Sequence, residues 1–189
     1  MSALVSLPER DIGAEVVSPL VQAEHVQLPA NATALAFAAD NRSLAVALGD
    51  GSVSLVTRSV LGGWGQITRP CPRVAAVAVA SLGSQFVTAG QDGAVRLVDP
   101  EGQVAPEPLY HAADHWIEAL AVHEVSGTIA VAAGREVAIL RADGQRIGTA
   151  SLAETPTGLD FAPDGGRLVA SHYNGLTVID TASGAQVQS

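Results

Sequence analysis

Short runs in which hydrophobic residues alternate with small or polar residues recur along the chain, and turn-forming residues separate them. Three runs make a set, and the set occurs four times. Alternation over about five residues is typical of half-buried β-strands, so each run predicts one strand. The predicted strands are 33–37, 43–48 and 52–56 in the first set, 74–79, 85–89 and 94–98 in the second, 117–122, 128–132 and 136–140 in the third, and 157–161, 167–170 and 176–179 in the fourth.

A tight turn separates the second and third strands of each set. It is Asp50-Gly51 in the first set, Asp92-Gly93 in the second and Asn174-Gly175 in the fourth. These pairs readily adopt the positive φ that a tight hairpin needs, which predicts antiparallel pairing and a structural role for all six residues. Gly134-Arg135 stands at this place in the third set. It breaks the pattern and predicts an altered or shortened turn.

The first strand of each set and the segments between sets have opposite characters. The first strands are apolar on both faces and rich in alanine, as in 75–79. Small side chains let neighbouring sheets approach closely, which predicts that these strands are innermost. The segments 64–68, 107–110 and 146–151 are more polar and are interrupted by proline or glycine in the way typical of edge strands. Each is therefore predicted to be an outer, fourth strand.

The spacing of the sets predicts the architecture. The four turns are 42, 42 and 40 residues apart, counted from 50 to 92, 134 and 174. A period of about 40 to 45 residues is typical of four-stranded propeller blades. We therefore expect an all-β protein, a β-propeller with four blades of four-stranded antiparallel sheet. The expected divisions are a lead-in segment with a possible closing strand at 1–24 and blades at about 25–69, 70–111, 112–152 and 153–189.

A helical bundle is the competing structure, because alanine is frequent and residues 116–123 fit a helical wheel. The β-branched residues, the 19 glycines and the lack of a long stretch with a 3.6-residue period favour strands instead.

Segments 44–56 and 85–99 resemble the second strand, turn and third strand of repeats in the WD-repeat superfamily, and 161–169 resembles the turn after their innermost strand. The resemblance covers about 25–189, as degenerate repeats that lack the Trp-Asp and Gly-His pairs. It implies a non-catalytic scaffold that mediates protein–protein interaction. It also implies that the residues at 50, 92 and 174 accept hydrogen bonds that brace the blades.

Propellers of this superfamily usually have about seven blades, so four sets favour part of a larger propeller. Two alternatives remain open. Two copies could join edge to edge into one ring, or the chain could close as a four-bladed ring with a strand from 14–17 or 24–27 completing the fourth blade.

Charge and composition exclude some classes of function. The net charge of −9 opposes binding to phosphate backbones, so nucleic acid is not an expected partner. No apolar run reaches the roughly 18 residues that a membrane-spanning helix needs. The N-terminus lacks the basic and apolar regions of a secretory signal, and Cys71 is the single cysteine. These features favour a cytoplasmic protein.

The densest group of reactive side chains is His111, Asp114, His115 and Trp116, ahead of the third inner strand. Two histidines and a carboxylate can bind a metal or act as acid and base, but such a histidine more often caps a blade. His123 lies at the opposite end of the same strand and cannot share that site. The sequence holds none of the common motifs for metals, nucleotides or nucleophiles.

These observations favour a protein or peptide partner over a substrate. We expect no catalytic, metal-binding or cofactor-binding residue. The candidate partner-binding residues are Arg73 and Trp116, just before inner strands, with His115 and Tyr173 nearby, because Trp, Tyr and Arg dominate many interfaces. The alternative function is a propeller-type hydrolase or lactonase with a metal at the channel mouth. Asp160 is the one clear acid inside an inner strand.

Overall fold

The computed structural model describes residues 25–59, 64–65 and 76–187, and these residues form fifteen β-strands and no helix. The first sheet contains β1 (Ala32–Phe37), β2 (Ser43–Leu48), β3 (Val53–Arg58) and β4 (Trp64–Gly65), and the second contains β5 (Ala76–Leu82), β6 (Gln85–Gly90), β7 (Ala94–Val98) and β8 (Tyr110–His111). The third contains β9 (Ile117–His123), β10 (Thr128–Ala133), β11 (Glu136–Arg141) and β12 (Arg146–Ser151), and the fourth contains β13 (Gly158–Phe161), β14 (Arg167–His172) and β15 (Gly175–Asp180).

Within every sheet, strands that follow one another along the chain are neighbours and pair antiparallel. The prediction of an all-β fold with four antiparallel sheets is therefore confirmed. In this part of the chain there is also no helix that could cross a membrane.

The fourth sheet has three described strands, so the expectation of four strands in every sheet does not hold there. After β15 the chain turns back, and only a single bridge joins Gln186 to Ile179. The Val187 amide then donates to the Val178 carbonyl at 2.8 Å. An isolated bridge does not form a strand, so the described part of the fourth sheet has three strands. The predicted lead-in segment 1–24 lies outside the described residues.

The four sheets pack face against face in chain order. Ala45 and Val53 of the first sheet pack with Phe86 of the second in one apolar cluster. A second cluster joins the second and third sheets, and a third cluster joins the third and fourth. Because the third sheet is covered on both faces, all six positions of β10 are buried. This is why Thr128–Ala133 shows no simple alternation between apolar and polar residues.

The alanine-rich first strands lie side by side: β1 contacts β5, β5 contacts β9 and β9 contacts β13. Among the described residues, no strand of the first sheet packs to a comparable extent against a strand of the fourth. Of the two segments considered for closing a four-bladed ring, 14–17 lies outside the described residues, and the described part of 24–27, residues 25–27, forms no strand.

The turn between the second and third strands differs among the sheets. Ala133 pairs with Glu136, which leaves only Gly134 and Arg135 in the third turn, so the prediction of an altered or shortened turn is confirmed. In the fourth sheet His172 pairs with Gly175. The turn residues there are consequently Tyr173 and Asn174, and Gly175 belongs to β15 and not to the turn.

Candidate functional site

The starts of the innermost strands and the turns between second and third strands lie at one end of the sheets, which we call the turn end. Ile117, the first residue of β9, pairs with Ala133 beside the third turn. The amide of Leu152 donates to the Arg135 carbonyl at 2.8 Å, which places the chain leading from β12 to β13 at the same end. The turn end is formed by 49–52, 90–93, 112–116, 134–135, 152–157 and 173–174.

Three of the four predicted partner-binding residues lie at the turn end. His115 and Trp116 directly precede β9, and Tyr173 is in the turn of the adjacent fourth sheet. Trp116 is 66% exposed and Tyr173 is 94% exposed. The fourth residue, Arg73, lies outside the described residues. The structure therefore places two exposed aromatic side chains, 57 positions apart from 116 to 173, at the same end of adjacent sheets.

The segment 112–116 is held between the turns of the second and third sheets. The Ala112 amide donates to the Gly93 carbonyl at 2.8 Å. Gly93 has a φ of +73°, and a Cβ built on it would lie 2.4 Å from the carbonyl oxygen of Ala112 and 2.7 Å from that of His115. A side chain at position 93 is excluded by both the backbone conformation and this close approach.

On its other side, the same segment is fixed by the third sheet. The His115 ring packs over Gly134, where a Cβ would lie 3.1 Å from the ring. Two positions after His115, Ile117 is buried in the cluster between the second and third sheets. Trp116 lies between these two anchored positions, so its backbone is fixed while its side chain faces solvent.

Carboxylates brace the first two turns locally. Asp50 accepts hydrogen bonds from the amide and the hydroxyl of Ser52, at 2.9 and 2.6 Å. Asp92 accepts from the Ala94 amide at 3.1 Å and from the Arg96 guanidinium at 2.6 Å. Both acids thereby fix the conformation of their own turns.

In the other two sheets the bracing carboxylate comes from a distant segment. Glu118 of β9 accepts from the Gly134 amide at 3.0 Å. Glu154 accepts from the backbone amide of Asn174 at 3.2 Å and also from the Asn174 side-chain amide. Asn174 is a donor in these contacts, and the accepting carboxylate that braces its turn belongs to Glu154. Sequence reasoning did not identify Glu118 or Glu154, because each precedes its turn by 16 or more positions.

His172 extends the network around Glu154. Its Nε2 lies 3.2 Å from the Thr177 hydroxyl, and its Nδ1 lies 3.4 Å from a Glu154 oxygen. The side chain is mostly buried, and Nδ1 makes no hydrogen bond to the described residues. Glu154 thus links the segment 152–157 to both the end of β14 and the turn that carries Tyr173.

An open groove of about 480 Å³ lies between the outer parts of the second and third sheets at the turn end. It contains the predicted reactive residues His111, Asp114 and His115, together with Arg135. Among the described residues, however, no three histidine, cysteine or acidic side chains are arranged to hold a metal ion.

Tyr110, Glu136 and Arg146 add further polar groups to this groove. The Arg146 guanidinium is 3.9 Å from the Glu136 carboxylate. Burial and the negative charge of Glu136 raise the pKa of the Tyr110 hydroxyl, and Arg146 partly opposes that change. Tyr110 is therefore neutral at physiological pH and can donate a hydrogen bond.

A second cleft, of about 360 Å³, lies nearer the innermost strands and is lined by three successive sheets. Val77 and Gln91 come from the second sheet and its turn, and Trp116 comes from the third. Residues 155–157, which lead into β13 of the fourth sheet, line another side of the cleft. Trp116 thus forms one wall of a cleft whose other walls belong to the neighbouring sheets.

His123 lies at the end of the sheets opposite Trp116. Its Nε2 is 3.1 Å from the Pro163 carbonyl, its Nδ1 is 2.8 Å from the Ser126 hydroxyl, and its ring is 5.9 Å from the Phe161 ring. A seven-residue strand separates it from Trp116 by about 20 Å. The expectation that these two residues do not share a site is confirmed, and the contacts of His123 join the third and fourth sheets.

Comparison with known proteins assigns no family to the chain. No protein-family model matches the sequence, and no curated protein is significantly similar to it. Function is therefore inferred from the geometry of the turn end.

Proposed function

We propose that the four sheets are consecutive blades of a WD-repeat-type β-propeller, part of a larger ring, and that the chain is a non-catalytic scaffold whose turn end binds a protein or peptide. The 40- to 42-residue repeat, the neighbouring alanine-rich strands and the face-to-face packing in chain order support the blade assignment. The exposed side chain of Trp116, on a backbone fixed from two sides, is the observation that carries the binding function.

Trp116 has the properties of an interface anchor. An exposed indole leaves a large apolar area in water, and covering it with a partner is favourable. Its backbone is already ordered by Ala112 and Ile117, so binding does not have to fix a mobile loop. Tyr173 is similarly placed on a turn that Glu154 braces. Both aromatic side chains can therefore be covered at a low cost in conformational entropy.

The charges at the turn end indicate what the partner carries. Arg135 is exposed and forms no ion pair with the described residues, and it stands where the first two turns have Gly51 and Gly93. The nearby cleft offers an apolar wall at Trp116. We infer a partner segment that places an apolar side chain in the cleft and an acidic group near Arg135.

Selection of peptides from a random displayed library against the immobilised full chain tests this function. The dissociation constants of the selected peptides are then measured for wild type, Trp116→Ala, Tyr173→Ala and Val125→Ala. Loss of an interface anchor costs roughly 2 kcal/mol, so Trp116→Ala is expected to weaken binding about 30-fold. Val125, which is 92% exposed in the turn between β9 and β10 at the opposite end, serves as the matched control. Peptides that bind all four proteins equally would refute the proposal.

The alternative function, a propeller-type hydrolase or lactonase, requires acids or histidines from several sheets to converge on the cleft near the innermost strands. Glu118 is the only acid among the residues that line this cleft. It also accepts the hydrogen bond from Gly134 that braces the third turn. Metal analysis of protein purified without a histidine tag is the direct test, and a stoichiometric metal ion would favour the enzyme over the scaffold.

A further inference from the structure

The cleft beside Trp116, which we call the inner cleft, combines an aromatic ring, a carboxylate and apolar walls. Among the described residues that line it, Glu118 is the only charged one. The remaining lining residues are neutral, namely Val77, Gln91, Trp116, Ile117, Thr155, Pro156 and Thr157. A basic side chain has an apolar carbon stem and a cationic head, and a cleft of this composition can contact both parts.

A β-bulge distinguishes the position of Glu118. The pairing of β9 with β10 passes from Ile117 to Ala119 and leaves Glu118 without a partner in the ladder. The innermost strands of the first two sheets have a bulge at the same place, at Thr33 and Val77. Bulges can redirect a side chain beside a binding site. Both equivalent residues are neutral, so the acid at this place is a property of the third sheet and not of the repeat.

The carboxylate of Glu118 is fixed in position and only partly engaged. Its Oε2 accepts the hydrogen bond from the Gly134 amide at 3.0 Å. Its Oε1 makes no hydrogen bond with the described residues, and Glu118 is exposed. Because an ionised carboxylate can accept several hydrogen bonds, bracing the third turn does not exhaust this group. One oxygen is available to a cation that enters the inner cleft.

Trp116 supplies the aromatic part of the site. Only Ile117 separates it from Glu118 along the chain, and both residues line the inner cleft. The face of an indole attracts cations more strongly than the ring of phenylalanine or tyrosine does. Val77 and Pro156 add apolar surface from the neighbouring sheets. The same cleft thus offers a ring and a carboxylate to a cationic head, and carbon atoms to its stem.

The charge of the surrounding surface also favours a cation. The described residues of the turn end include four acids and one arginine, namely Asp50, Asp92, Asp114, Glu154 and Arg135. Arg135 lines the outer groove and not the inner cleft. The whole chain has a net charge of −9. A negative surface attracts basic groups and increases their rate of association.

We propose that the inner cleft binds the side chain of a lysine or an arginine of the partner, with its cationic head at Trp116 and Glu118 and its carbon stem along Val77 and Pro156. The proposal rests on the binding function proposed above and identifies the group that enters the cleft. The apolar part of that group is the stem of a basic side chain. An uncharged side chain would cover the Glu118 carboxylate without replacing its contacts with water, which is unfavourable.

Heteronuclear NMR of the full chain with small peptides tests the site directly. The probes are alanine peptides, blocked at both ends, that differ only in a central lysine, arginine or norleucine. Norleucine has a carbon stem like that of lysine but no ammonium group. We expect the lysine and arginine peptides to shift the indole N–H signal of Trp116 in a saturable way, and the norleucine peptide to have a much weaker effect. Trp64 in the first sheet is the second tryptophan of the chain and serves as an internal reference.

Substitutions separate the contributions of the carboxylate and the ring. Glu118→Gln removes the charge but keeps an oxygen that can accept from Gly134, and it should weaken binding of the lysine peptide about fivefold. Trp116→Leu keeps an apolar side chain without the ring and should also weaken binding about fivefold, as followed by the backbone signals of 117–118. Glu101→Gln makes the same change of charge in the exposed turn after β7, at the opposite end of the sheets, and should bind like wild type.

Three results would overturn the proposal. They are a Trp116 signal that does not respond to the lysine and arginine peptides, an equal response to norleucine, and a Glu118→Gln protein that binds like wild type. Any of these results would leave the proposed binding function standing if library peptides without basic residues still required Trp116. Conversely, a lysine response in a chain that selects no library peptide would support the cation site and count against the wider binding function.

Discussion

Replacement of Gly93 by alanine tests how the segment that carries Trp116 is held. Alanine in the left-handed conformation costs about 1 kcal/mol. The new Cβ would also lie 2.4 Å from the Ala112 carbonyl oxygen and 2.7 Å from that of His115, so the segment 112–116 must move. Movement weakens the 2.8 Å hydrogen bond from Ala112 to Gly93, which contributes about 1 kcal/mol. The total expected loss in the free energy of unfolding is about 2 to 4 kcal/mol.

Gly83 provides a matched control for this substitution. It is in the same sheet and has a similar φ of +62°, but a Cβ there would meet nothing within 4 Å. Gly83→Ala should therefore cost only the conformational term of about 1 kcal/mol. Urea unfolding of both variants and wild type, analysed with the same m-value for all three proteins, measures the difference in the free energy of unfolding. A Gly93→Ala protein no less stable than Gly83→Ala would refute the inferred close packing of 112–116 on the second turn.

Two further substitutions test polar groups at the turn end. Burial raises the pKa of Tyr110 above its usual value of about 10, so the unfolded chain loses this proton at lower pH than the folded chain. The free energy of unfolding should thus fall as pH rises from about 10 to the pKa of Tyr110 in the folded protein. Tyr110→Phe should lessen that fall, as measured by urea unfolding at several pH values. The same dependence on pH in wild type and variant would contradict the burial of the hydroxyl. Glu154→Ala removes the acceptor for Asn174 and should lower the free energy of unfolding by about 1 to 2 kcal/mol. The exposed control Glu101→Ala should cause no measurable change. Equal stabilities of the two variants would show that the contact between Glu154 and Asn174 does not stabilise the turn.

Local patterns were sufficient to predict most strands because each strand is decided by a few adjacent residues. Ser43–Leu48, Ala94–Val98 and Arg146–Ser151 match the predicted runs residue for residue. The outer strand of the second sheet was less well predicted. It was expected at 107–110, but only Tyr110–His111 pairs regularly. Pro106 and Pro108 have no amide to donate, so this segment is tied to β7 by the amides of Ala105 and Leu109 and by a single bridge between Val98 and Val104.

Features that depend on pairing across long stretches of sequence were not predictable from local pattern. The fourth turn was placed at Asn174-Gly175 on its composition, but the pairing of Ala170 with Thr177 fixes the register and moves the turn to Tyr173-Asn174. This shift makes Tyr173 a turn residue, which explains its exposure. Glu154 was likewise missed, because no local signal connects it to a turn 20 positions later.

Alternation along a strand was not sufficient to predict which positions are covered. Leu35 of β1 and Leu176 of β15 are 62% and 64% exposed, although their counterparts Leu159 and Val137 are half-buried and fully buried. Val46, which pairs with Leu35 and therefore shares its face of the first sheet, is nevertheless only 3% exposed. Exposure thus varies within a single face, because it depends on which segment packs against each position. Alternation assigns a residue to one face of its strand, whereas the packing of distant segments decides whether that position is buried.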